Sequence, residues 1–563
     1  MGNHWDAIVV GSGAGGGMSA YVLAQAGLRV LVLEAGRAYS PETETSMFDL
    51  PEKAPLRGTT TPDKPFGYFD ATAGGGWEIP GEPYTMAEGS TFRWYRARMV
   101  GGRTNHWGRV SLRFGAYDFK GKSRDGLGVD WPLSYDDLAP WYDRVERLIG
   151  VCGGQEDLEN EPPSPSAQPA PPLRPSEVLL QRGFAKMGIP VASVRAAILT
   201  QPLGDRAACL YATYCGRGCS IRANFQSPTV LLPPALATGK LEVQTDSVVS
   251  RVLMGKDGRA RGVEYIDRKT GLAHTVKARA VVLAASSCET ARILLNSKTA
   301  EFPMGVANES GQVGRNLMDS VGTAVVAQIP ALEGMPPRND DGISLGHIYV
   351  PWWGYKQQHD GGLDFPRGYH FEIVPSRLMP GMSVDNYADF CSTPFGPGLR
   401  TELRQKYGSV VIVASRGEML PNEDTFCELD PTVKDRFGLP VLRFHWKWGS
   451  AELRQAAHAR KTLREVVGHL GGNVIYGNEN DGIIPPISAG GEVVHEVGTT
   501  RMGASPKDSV VNQHGQSWSV KNLFITDGGV FASSSHKNPT LTILALSWRS
   551  TAHLVEQLRS GAI

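Results

Sequence analysis

The first forty residues alternate between short apolar runs and a glycine-rich segment of small residues. Residues 8–10 read I-V-V and residues 30–33 read V-L-V-L, and both runs have the length and composition of buried strands. Between them, residues 18–26 are mostly apolar or small and favour a closely packed helix. This order predicts a strand–turn–helix–strand unit over residues 7–37.

Later parts of the chain show other periodicities. Residues 241–253 and 262–265 alternate as paired strands do, and the apolar run 278–285 predicts a buried strand followed by a helix over 286–295. The fold class predicted is α/β (α+β overall), with a Rossmann-like domain and a second domain built on an antiparallel sheet covered by helices. The segments assigned to that second domain are the alternating patches 323–328, 370–374, 409–414 and 441–448 and the amphipathic helix 451–469.

These patterns divide the chain into three segments. Residues 1–320 form the Rossmann-like domain, residues 321–480 form the second domain, and residues 481–563 return to the first domain. Within the first segment, residues 38–98 lack periodicity and predict a long surface excursion. Residues 159–175 are dense in Pro and Ser and predict an irregular connector.

Charge and apolar content narrow the classes of protein. The chain has 57 Lys and Arg and 57 Asp and Glu in 563 residues, so its charge gives no reason to expect nucleic acid or an anionic membrane as a partner. No apolar run approaches the roughly 20 residues of a membrane helix. The first strand begins within ten residues of Met1, so we expect no export signal on this chain.

Three glycines in the first unit have the spacing of a dinucleotide fingerprint. Gly11 allows the tight turn, Gly13 leaves room for a pyrophosphate, and Gly16 lets the helix approach the strand. Glu34 ends the second strand, where a carboxylate accepts hydrogen bonds from the hydroxyls of a ribose. Ala14, at the start of the helix, and Arg37 complete the contacts expected here. The alternative is a βαβ unit that binds nothing.

A second glycine pair lies at residues 99–109, M-V-G-G-R-T-N-H-W-G-R. Its V-G-G-x-x-x-H pattern, some 90 residues after the fingerprint, resembles the glucose–methanol–choline (GMC) oxidoreductase family. The resemblance implies FAD as the cofactor. In some family members the histidine at the position of His106 is bonded covalently to the flavin 8α-methyl, and in others it only packs on or hydrogen-bonds the flavin. The contacts implied are Gly101, Gly102, Asn105, His106, Trp107 and Gly108.

The C-terminal region contains H-E-V-G-T-T-R-M-G from His495 and N-P-T-L-T from Asn538. By resemblance to the family, His495 is the base that takes the hydroxyl proton and Asn538 positions the alcohol oxygen, while hydride leaves for flavin N5. Asp527 and Gly528 match a backbone contact to FAD. The helix beginning near Thr540 directs its positive end at the flavin. Val248 completes the cofactor contacts that we expect.

Three of the seven cysteines, Cys209, Cys215 and Cys219, have the spacing C-x5-C-x3-C. Thiolates close together suit a soft metal or an iron–sulfur cluster, and three suffice for a [3Fe-4S] cluster. A cysteine-rich segment also occurs in a bacterial branch of the family. The alternative is three free, partly buried thiols.

Within the family, the chain looks most like bacterial glucoside 3-dehydrogenases, gluconate 2-dehydrogenase flavoprotein subunits and pyranose oxidases. The resemblance implies oxidation of a secondary alcohol of a sugar or glycoside, C3 of a glucoside being one candidate. Electrons would pass to a cytochrome, a quinone or an artificial acceptor. A small subunit and cytochrome c are the partners implied, with the bacterial cytoplasm, or the periplasm through an export signal on the partner, as the location.

Other activities remain open at this point. The nearest is a pyranose or C-glycoside 3-oxidase that uses O2 and releases H2O2. A chain that binds FAD only for structure, and an FAD lyase or isomerase, are the others. For any sugar substrate, aromatic side chains would supply stacking faces, and the alternative for each of them is ordinary core packing. The candidates are Trp352, Trp353, Tyr355, Phe365, Tyr369, Tyr387 and Phe390.

Overall fold

The computed structural model describes residues 5–45, 79–211, 215, 218–335, 346–374, 391–393, 396–477 and 485–563. The helices in this part of the chain are α1 Ala14–Gln25, α2 Pro41–Glu44, α3 Ala116–Phe119, α4 Gly121–Asp125, α5 Tyr135–Ile149, α6 Pro175–Lys186, α7 Ser227–Val230, α8 Leu232–Leu236, α9 Ser287–Asn296, α10 Tyr355–His359, α11 Pro397–Lys406, α12 Ser450–His469 and α13 Thr540–Ser560. Short 3₁₀ helices occupy Gly102–Asn105, Pro330–Leu332 and Gly528–Val530.

The strands form two large sheets and one small one. They are β1 Trp5–Val10, β2 Val30–Leu33, β3 Thr85–Met86, β4 Ala192–Ser193, β5 Leu241–Gln244, β6 Ser247–Met254, β7 Ala260–Asp267, β8 Ala273–Leu283, β9 Val321–Gln328, β10 Ile348–Val350, β11 Tyr369–Val374, β12 Val410–Gly417, β13 Phe426–Lys434, β14 Pro440–His445, β15 Asn473–Tyr476 and β16 Leu523–Ile525.

The seven-stranded sheet has the order β5-β2-β1-β8-β7-β6, with β16 also paired to β8. Strands β5, β2, β1 and β16 run parallel to their neighbours in the Rossmann-like part, whereas β6, β7 and β8 pair antiparallel. Strand β8 belongs to both regions, because its first half pairs with β7 and its second half with β1. The Rossmann-like sheet predicted from the sequence is confirmed.

Helices α1 and α13 pack closely on one face of this sheet. The hydroxyl of Ser19 lies 3.0 Å from those of Thr526 and Ser547, and the Ser547 hydroxyl donates to the carbonyl of Gly15 at 2.8 Å. Because the residues at this contact are small, the two helix backbones approach each other. The C-terminal segment therefore returns to the N-terminal unit and is held there by buried hydrogen bonds.

The six-stranded sheet has the order β15-β9-β12-β11-β10-β4, and all its pairs are antiparallel. Its strands alternate with a period of two. On β11, Tyr369, Phe371 and Ile373 enter a hydrophobic core with α6 and α12, while His370 and Glu372 point to the opposite face. The antiparallel sheet is confirmed, and helices α6 and α12 pack on one of its faces.

Two finer expectations were wrong. The patch 441–448 belongs to a separate three-stranded sheet of β13, β14 and β3, not to the six-stranded one. Residues 38–98 are not all surface, because Phe92 and Trp94 are buried beside Phe444 of β14. A sequence without periodicity still buried its aromatic side chains, because loops can contribute single large side chains to a core.

None of the helices in the described ranges is long and apolar enough to cross a membrane.

Candidate active site

A cavity of about 750 Å³ lies between the two large sheets. Its walls include Gly11 after β1, Glu34 after β2, and Thr323, Glu372 and Arg416 from the face of the six-stranded sheet that helices leave uncovered. This volume falls within the roughly 300–1,000 Å³ of ligand sites. The carboxyl ends of parallel strands are also where such folds bind ligands.

The dinucleotide loop fits the predicted FAD because two glycines face each other across it. A Cβ placed on Gly102 would lie 3.7 Å from the Cα of Gly13, and a Cβ on Gly13 would lie 3.9 Å from the nearest atom, the Gly101 carbonyl oxygen. Helix α1 begins beside Gly13 with no side-chain cap and no acidic residue in its first turn. Its free N–H groups suit a pyrophosphate.

Glu34 is buried at the edge of this loop. Its Oε2 accepts hydrogen bonds from the hydroxyl of Ser12 at 2.5 Å and from the Ser12 N–H at 3.1 Å, and its Oε1 accepts from the N–H of Gly36. Burial raises the pKa of Glu34 above its ordinary value. These bonds hold the carboxylate at the cavity wall, where the sequence predicted a ribose contact.

The opposite wall comes from the C-terminal segment. Asp527 Oδ1 accepts from the Gly529 N–H at 2.9 Å and its Oδ2 accepts from the Thr290 hydroxyl, while burial raises its pKa to about 6. Helix α13 begins at Thr540 without a side-chain cap, and Thr540 lines the cavity. The partial positive charge of this helix end therefore faces the cavity.

His495 is held in the wall by its backbone and its ring. Its backbone N–H donates to Asp319 Oδ1 at 2.9 Å, and its Nδ1 lies 2.9 Å from the Ser320 hydroxyl. Burial and then the charge of Arg416 lower the pKa of His495 to about 3, so the ring is neutral at pH 7. The preceding Val494 has φ of 66°, which is strained for a β-branched residue and is typical of functional sites.

Asn538 lies opposite His495. Its Nδ2 is 3.4 Å from His495 Nε2 and donates to Glu372 Oε1 at 2.9 Å. Arg416 forms an ion pair with the other Glu372 oxygen, its Nε lying 3.1 Å from Oε2. Burial alone would raise the pKa of Glu372, but Arg416 and the bonds to His370 and Asn538 hold it below its ordinary value, so the side chain is a carboxylate.

Most of the predicted site residues meet at this cavity. His106 is among them, and burial, with Arg109 and Arg103 nearby, lowers its pKa to about 3, so its imidazole is neutral. The predicted residues that line the cavity are Gly11, Gly13, Ala14, Glu34, Gly102, His106, Trp107, Gly108, Val248, His495, Asp527, Gly528, Asn538 and Thr540.

Four predicted cofactor contacts do not line the cavity. Gly16 packs on the carbonyl of the turn before it, Gly101 donates its N–H to a serine hydroxyl at 2.8 Å, and Asn105 donates to a backbone carbonyl at 2.9 Å. Arg37 pairs with Glu44 at 2.7 Å near the surface. These residues shape or brace the loops that form the cavity.

The three cysteines lie away from the cavity lining. Cys209 and Cys215 belong to a small apolar cluster with Cys152, and burial raises the pKa of Cys209 to about 12. Among the described residues no group of three or more ligating side chains is arranged to hold a metal ion. Residues 212–214 and 216–217, between these cysteines, lie outside the described ranges. The cluster stays a prediction.

The described aromatic residues expected to stack on a sugar do not line the cavity. Trp352, Phe365 and Tyr369 are buried against one another in the core beneath the six-stranded sheet, with ring centroids 4.7 Å apart for Trp352 and Tyr369. That expectation was wrong for these residues, because they occupy the helix-covered side. Tyr387 and Phe390 lie outside the described residues.

Sequence reasoning missed several polar residues of the cavity and its immediate surroundings. Glu372 and Arg416 interrupt apolar strands at positions facing away from the core, and this charge on an otherwise apolar strand is the signal that could have identified them. The ion pair of Arg103 with Glu496, 2.5 Å apart, had no such signal. Ser320 was missed because its role depends on a residue 175 positions away.

Comparisons with known proteins identify the family of the chain. Two sequence patterns described as GMC oxidoreductase match residues 6–321 and 421–547. The chain is 31% identical over 556 residues to a 2-methyl-1,2-propanediol dehydrogenase of Mycolicibacterium austroafricanum, covering 97% of this chain and 94% of that protein. It is 27% identical to a fructose dehydrogenase large subunit of Gluconobacter japonicus, covering 99% of this chain and 98% of that protein.

The fold also matches a solved structure. The crystal structure of a pyridoxine 4-oxidase from Mesorbium loti superimposes with a TM-score of 0.61 at 16% identity, covering 98% of this chain and 99% of that one. This likeness shows the fold, a parallel Rossmann-like sheet with an antiparallel six-stranded sheet. The chain is therefore a member of the GMC oxidoreductase family, the flavin-dependent enzymes that oxidise alcohols.

Proposed function

We propose that this enzyme oxidises a secondary alcohol of a sugar or glycoside to the ketone, with C3 of a glucoside as the first position to test. One observation carries the proposal. His495 Nε2 and Asn538 Nδ2 face each other 3.4 Å apart in the wall of a cavity that also contains the dinucleotide loop. An alcohol oxygen in the cavity, within hydrogen-bonding distance of both atoms, would contact a neutral base and a hydrogen-bond donor.

The two side chains divide the work on the hydroxyl group. His495 is neutral at pH 7, so its Nε2 accepts the hydroxyl proton. Asn538 Nδ2 donates to the oxygen and holds the alcohol in place. The bound flavin would supply the acceptor for the hydride that leaves the carbinol carbon.

Polar residues of the six-stranded sheet favour a polyhydroxylated substrate. Thr323, Glu372 and Arg416 present a hydroxyl, a carboxylate and a guanidinium to the cavity. Together they supply both donors and acceptors, which the hydroxyls of a sugar can use, and their charges cancel. The fructose dehydrogenase relative acts on a sugar by its name, whereas the propanediol dehydrogenase relative suggests that small diols belong in the same assay.

For the acceptor we propose a cytochrome, a quinone or an artificial dye, and for the partner a small subunit and cytochrome c. The support is the relative named as the large subunit of a dehydrogenase. The alternative is an oxidase that reduces O2 to H2O2. The location, bacterial cytoplasm or periplasm, would follow from the partner, and cell fractionation with the partner gene present and absent tests it.

The deciding experiment is an anaerobic titration of the purified enzyme with glucosides, fructose and 2-methyl-1,2-propanediol, followed by the flavin absorbance. We expect bleaching by at least one sugar or glycoside, and product analysis would locate the ketone. Bleaching by the diol alone would overturn the sugar assignment. Admitting air then distinguishes the acceptors, because an oxidase recovers its absorbance rapidly and releases H2O2, whereas a dehydrogenase needs the dye.

Two cofactor predictions accompany this function. Covalent attachment through His106 is supported by its place in the cavity wall and its neutral imidazole. Acid precipitation tests it, since a bonded flavin stays in the pellet and an unbonded flavin enters the supernatant. Iron analysis of the wild-type protein and of a Cys209→Ser variant tests the cluster. If the cluster exists, the wild-type protein contains iron and the variant does not.

A further inference from the structure

Glu372 makes a contact that determines how the amide of Asn538 is turned. Its carboxylate lies 2.9 Å from Asn538 Nδ2 and is held in place by Arg416 on the neighbouring strand β12. An ionised carboxylate only accepts hydrogen bonds. If the amide were reversed, its Oδ1 would face the carboxylate oxygen at that distance, and two acceptors would repel each other. The nitrogen of Asn538 must therefore face Glu372.

The orientation of the Asn538 amide in turn determines which ring nitrogen of His495 carries the proton. With one N–H directed at Glu372, the second N–H of the Asn538 amide lies on the side of His495 Nε2, 3.4 Å away. An N–H group is satisfied only by a nitrogen with a free lone pair. The proton of the neutral imidazole then resides on Nδ1, and Nδ1 donates to the Ser320 hydroxyl at 2.9 Å.

We propose that Glu372 is a positioning residue which, through Asn538, holds His495 in the Nδ1–H tautomer and keeps Nε2 unprotonated, so that it can accept the substrate proton. The inference rests on the proposed roles of His495 and Asn538. Glu372 itself does not take the proton, because the ion pair with Arg416 and the hydrogen bond from Asn538 stabilise its ionised form. Its contribution is to exclude the tautomer in which Nε2 already carries a proton and cannot act as a base.

Other groups surround Glu372 but do not replace it. His370, on the same strand, places its Nε2 3.4 Å from the same carboxylate oxygen, and Arg416 contacts the other oxygen. Neither group contacts Asn538 in the described part of the chain through a recorded hydrogen bond. Among the described residues, the hydrogen-bonded path from Glu372 to the base therefore runs through the Asn538 amide, while the charges of Glu372, His370 and Arg416 act on His495 only through space.

The test compares Glu372→Gln with wild type. Glutamine has the same shape but offers either an oxygen or a nitrogen, so the Asn538 amide loses its preferred orientation. We expect the rate of anaerobic flavin reduction to fall by at least about tenfold, toward the roughly 10⁴-fold cost of a base in the wrong tautomer. The substrate concentration for half-maximal reduction should change by less than about threefold, because binding is not the step affected.

A matched control is Glu428→Gln. Glu428 is also a strand glutamate bonded to a histidine, His445 at 2.9 Å, but it lies on β13 outside the cavity lining. Its rate should equal that of wild type. Two catalytic-pair variants, His495→Ala and Asn538→Ala, accompany it so that a failure of the proposed pair is recognised separately.

The outcomes are distinct. Wild-type rates for Glu372→Gln, with His495→Ala and Asn538→Ala both slow, would overturn the role of Glu372 and leave the pair intact. A wild-type rate for His495→Ala would overturn the pair and this inference with it. Should Glu372→Gln lose flavin, ¹⁵N NMR of histidine-labelled wild type decides: an Nδ1–H signal for His495, identified by its loss in His495→Ala, supports the inference, and an Nε2–H signal overturns it.

Discussion

The Ser320 hydroxyl lies 2.9 Å from Nδ1 of His495, although the two residues are 175 positions apart in the chain. Ser320 ends the segment that enters β9, and His495 lies between the two helices α12 and α13. The neighbouring Asp319 accepts the backbone N–H of His495 at the same point. One short segment thus fixes both the backbone and the ring of the proposed base.

Replacing Ser320 by alanine should slow flavin reduction without preventing flavin binding. The Nδ1 of His495 would lose its hydrogen-bond partner, and we expect a fall of about tenfold to a hundredfold, as for other groups that orient a catalytic histidine. Stopped-flow absorbance under anaerobic conditions measures the rate. Ser320→Thr retains the hydroxyl and is the control. Equal rates for the alanine variant and wild type would show that the backbone contact alone orients the ring.

The pH dependence of kcat/KM should lack the acid limb of an ordinary histidine. Burial lowers the pKa of His495 to about 3, so the base is already unprotonated well below pH 6.5. Because a lowered pKa means that the proton leaves at lower pH, titration of His495 should cause no loss of activity from pH 8 down to about pH 5, provided that the fold persists. A change near pH 6 or 7 would belong to Asp527 or Asp319, whose pKa values burial raises to about 6 and about 7. Steady-state kinetics with circular dichroism at each pH test this. A fall in kcat/KM near pH 6.5 that persists when the other titratable residues of the cavity are replaced would contradict the assignment of His495 as the base.

Two glycine variants of the dinucleotide loop should separate cofactor binding from folding. A Cβ on Gly13 would lie 3.9 Å from its nearest neighbour, so Gly13→Ala should fold normally but bind FAD weakly. A Cβ on Gly16 would collide with the carbonyl oxygen of Gly11, so Gly16→Ala should lose about 1–3 kcal/mol of stability. Flavin titration and urea unfolding measure the two effects. If Gly13→Ala bound flavin as tightly as wild type, the prediction that the pyrophosphate lies against this loop would be wrong.

Lys537→Met should destabilise the fold. The Lys537 ammonium is fully buried, 2.7 Å from Asp118 and 3.5 Å from Glu161. Removing it leaves buried carboxylates without their cation, which costs about 3–5 kcal/mol. Lys461→Met is the control, because Lys461 is exposed and pairs with Glu465 at 3.9 Å, so its loss should cost less than about 0.5 kcal/mol. Urea unfolding with flavin bound and removed checks both, and equal costs would refute the prediction.

The dinucleotide unit could be predicted from sequence because its signals are local. Gly11, Gly13 and Gly16 lie within six residues of one another, and the apolar runs on either side are the strands that this unit requires. The cap of α5 is equally local, because Ser134 and Asp137, which bond each other there, are three residues apart. The family motifs around His495 and Asn538 allowed residues of the candidate site to be predicted as well.

Contacts across the fold were not readable. The aromatic residues near Trp352 were expected at the substrate, yet they fill the core under the sheet, because sequence does not show which face of a strand helices will cover. In the sequence, Glu372 is only a single charged residue in an apolar strand. Its contact with Asn538 becomes visible when the fold places β11 beside that residue.

What the sequence by itself determined is the family and the dinucleotide loop, and it supplied the candidate for the base, since each depends on residue types at short spacing. Only the tertiary structure decided that Ser320, Glu372 and Arg416 surround that base. Those contacts join segments that are distant along the chain, as Ser320 and His495 are at 175 positions apart, and their geometry follows from how two sheets pack around one cavity. The physical reason is that a hydrogen bond depends on distance in space, which the packing of whole sheets sets.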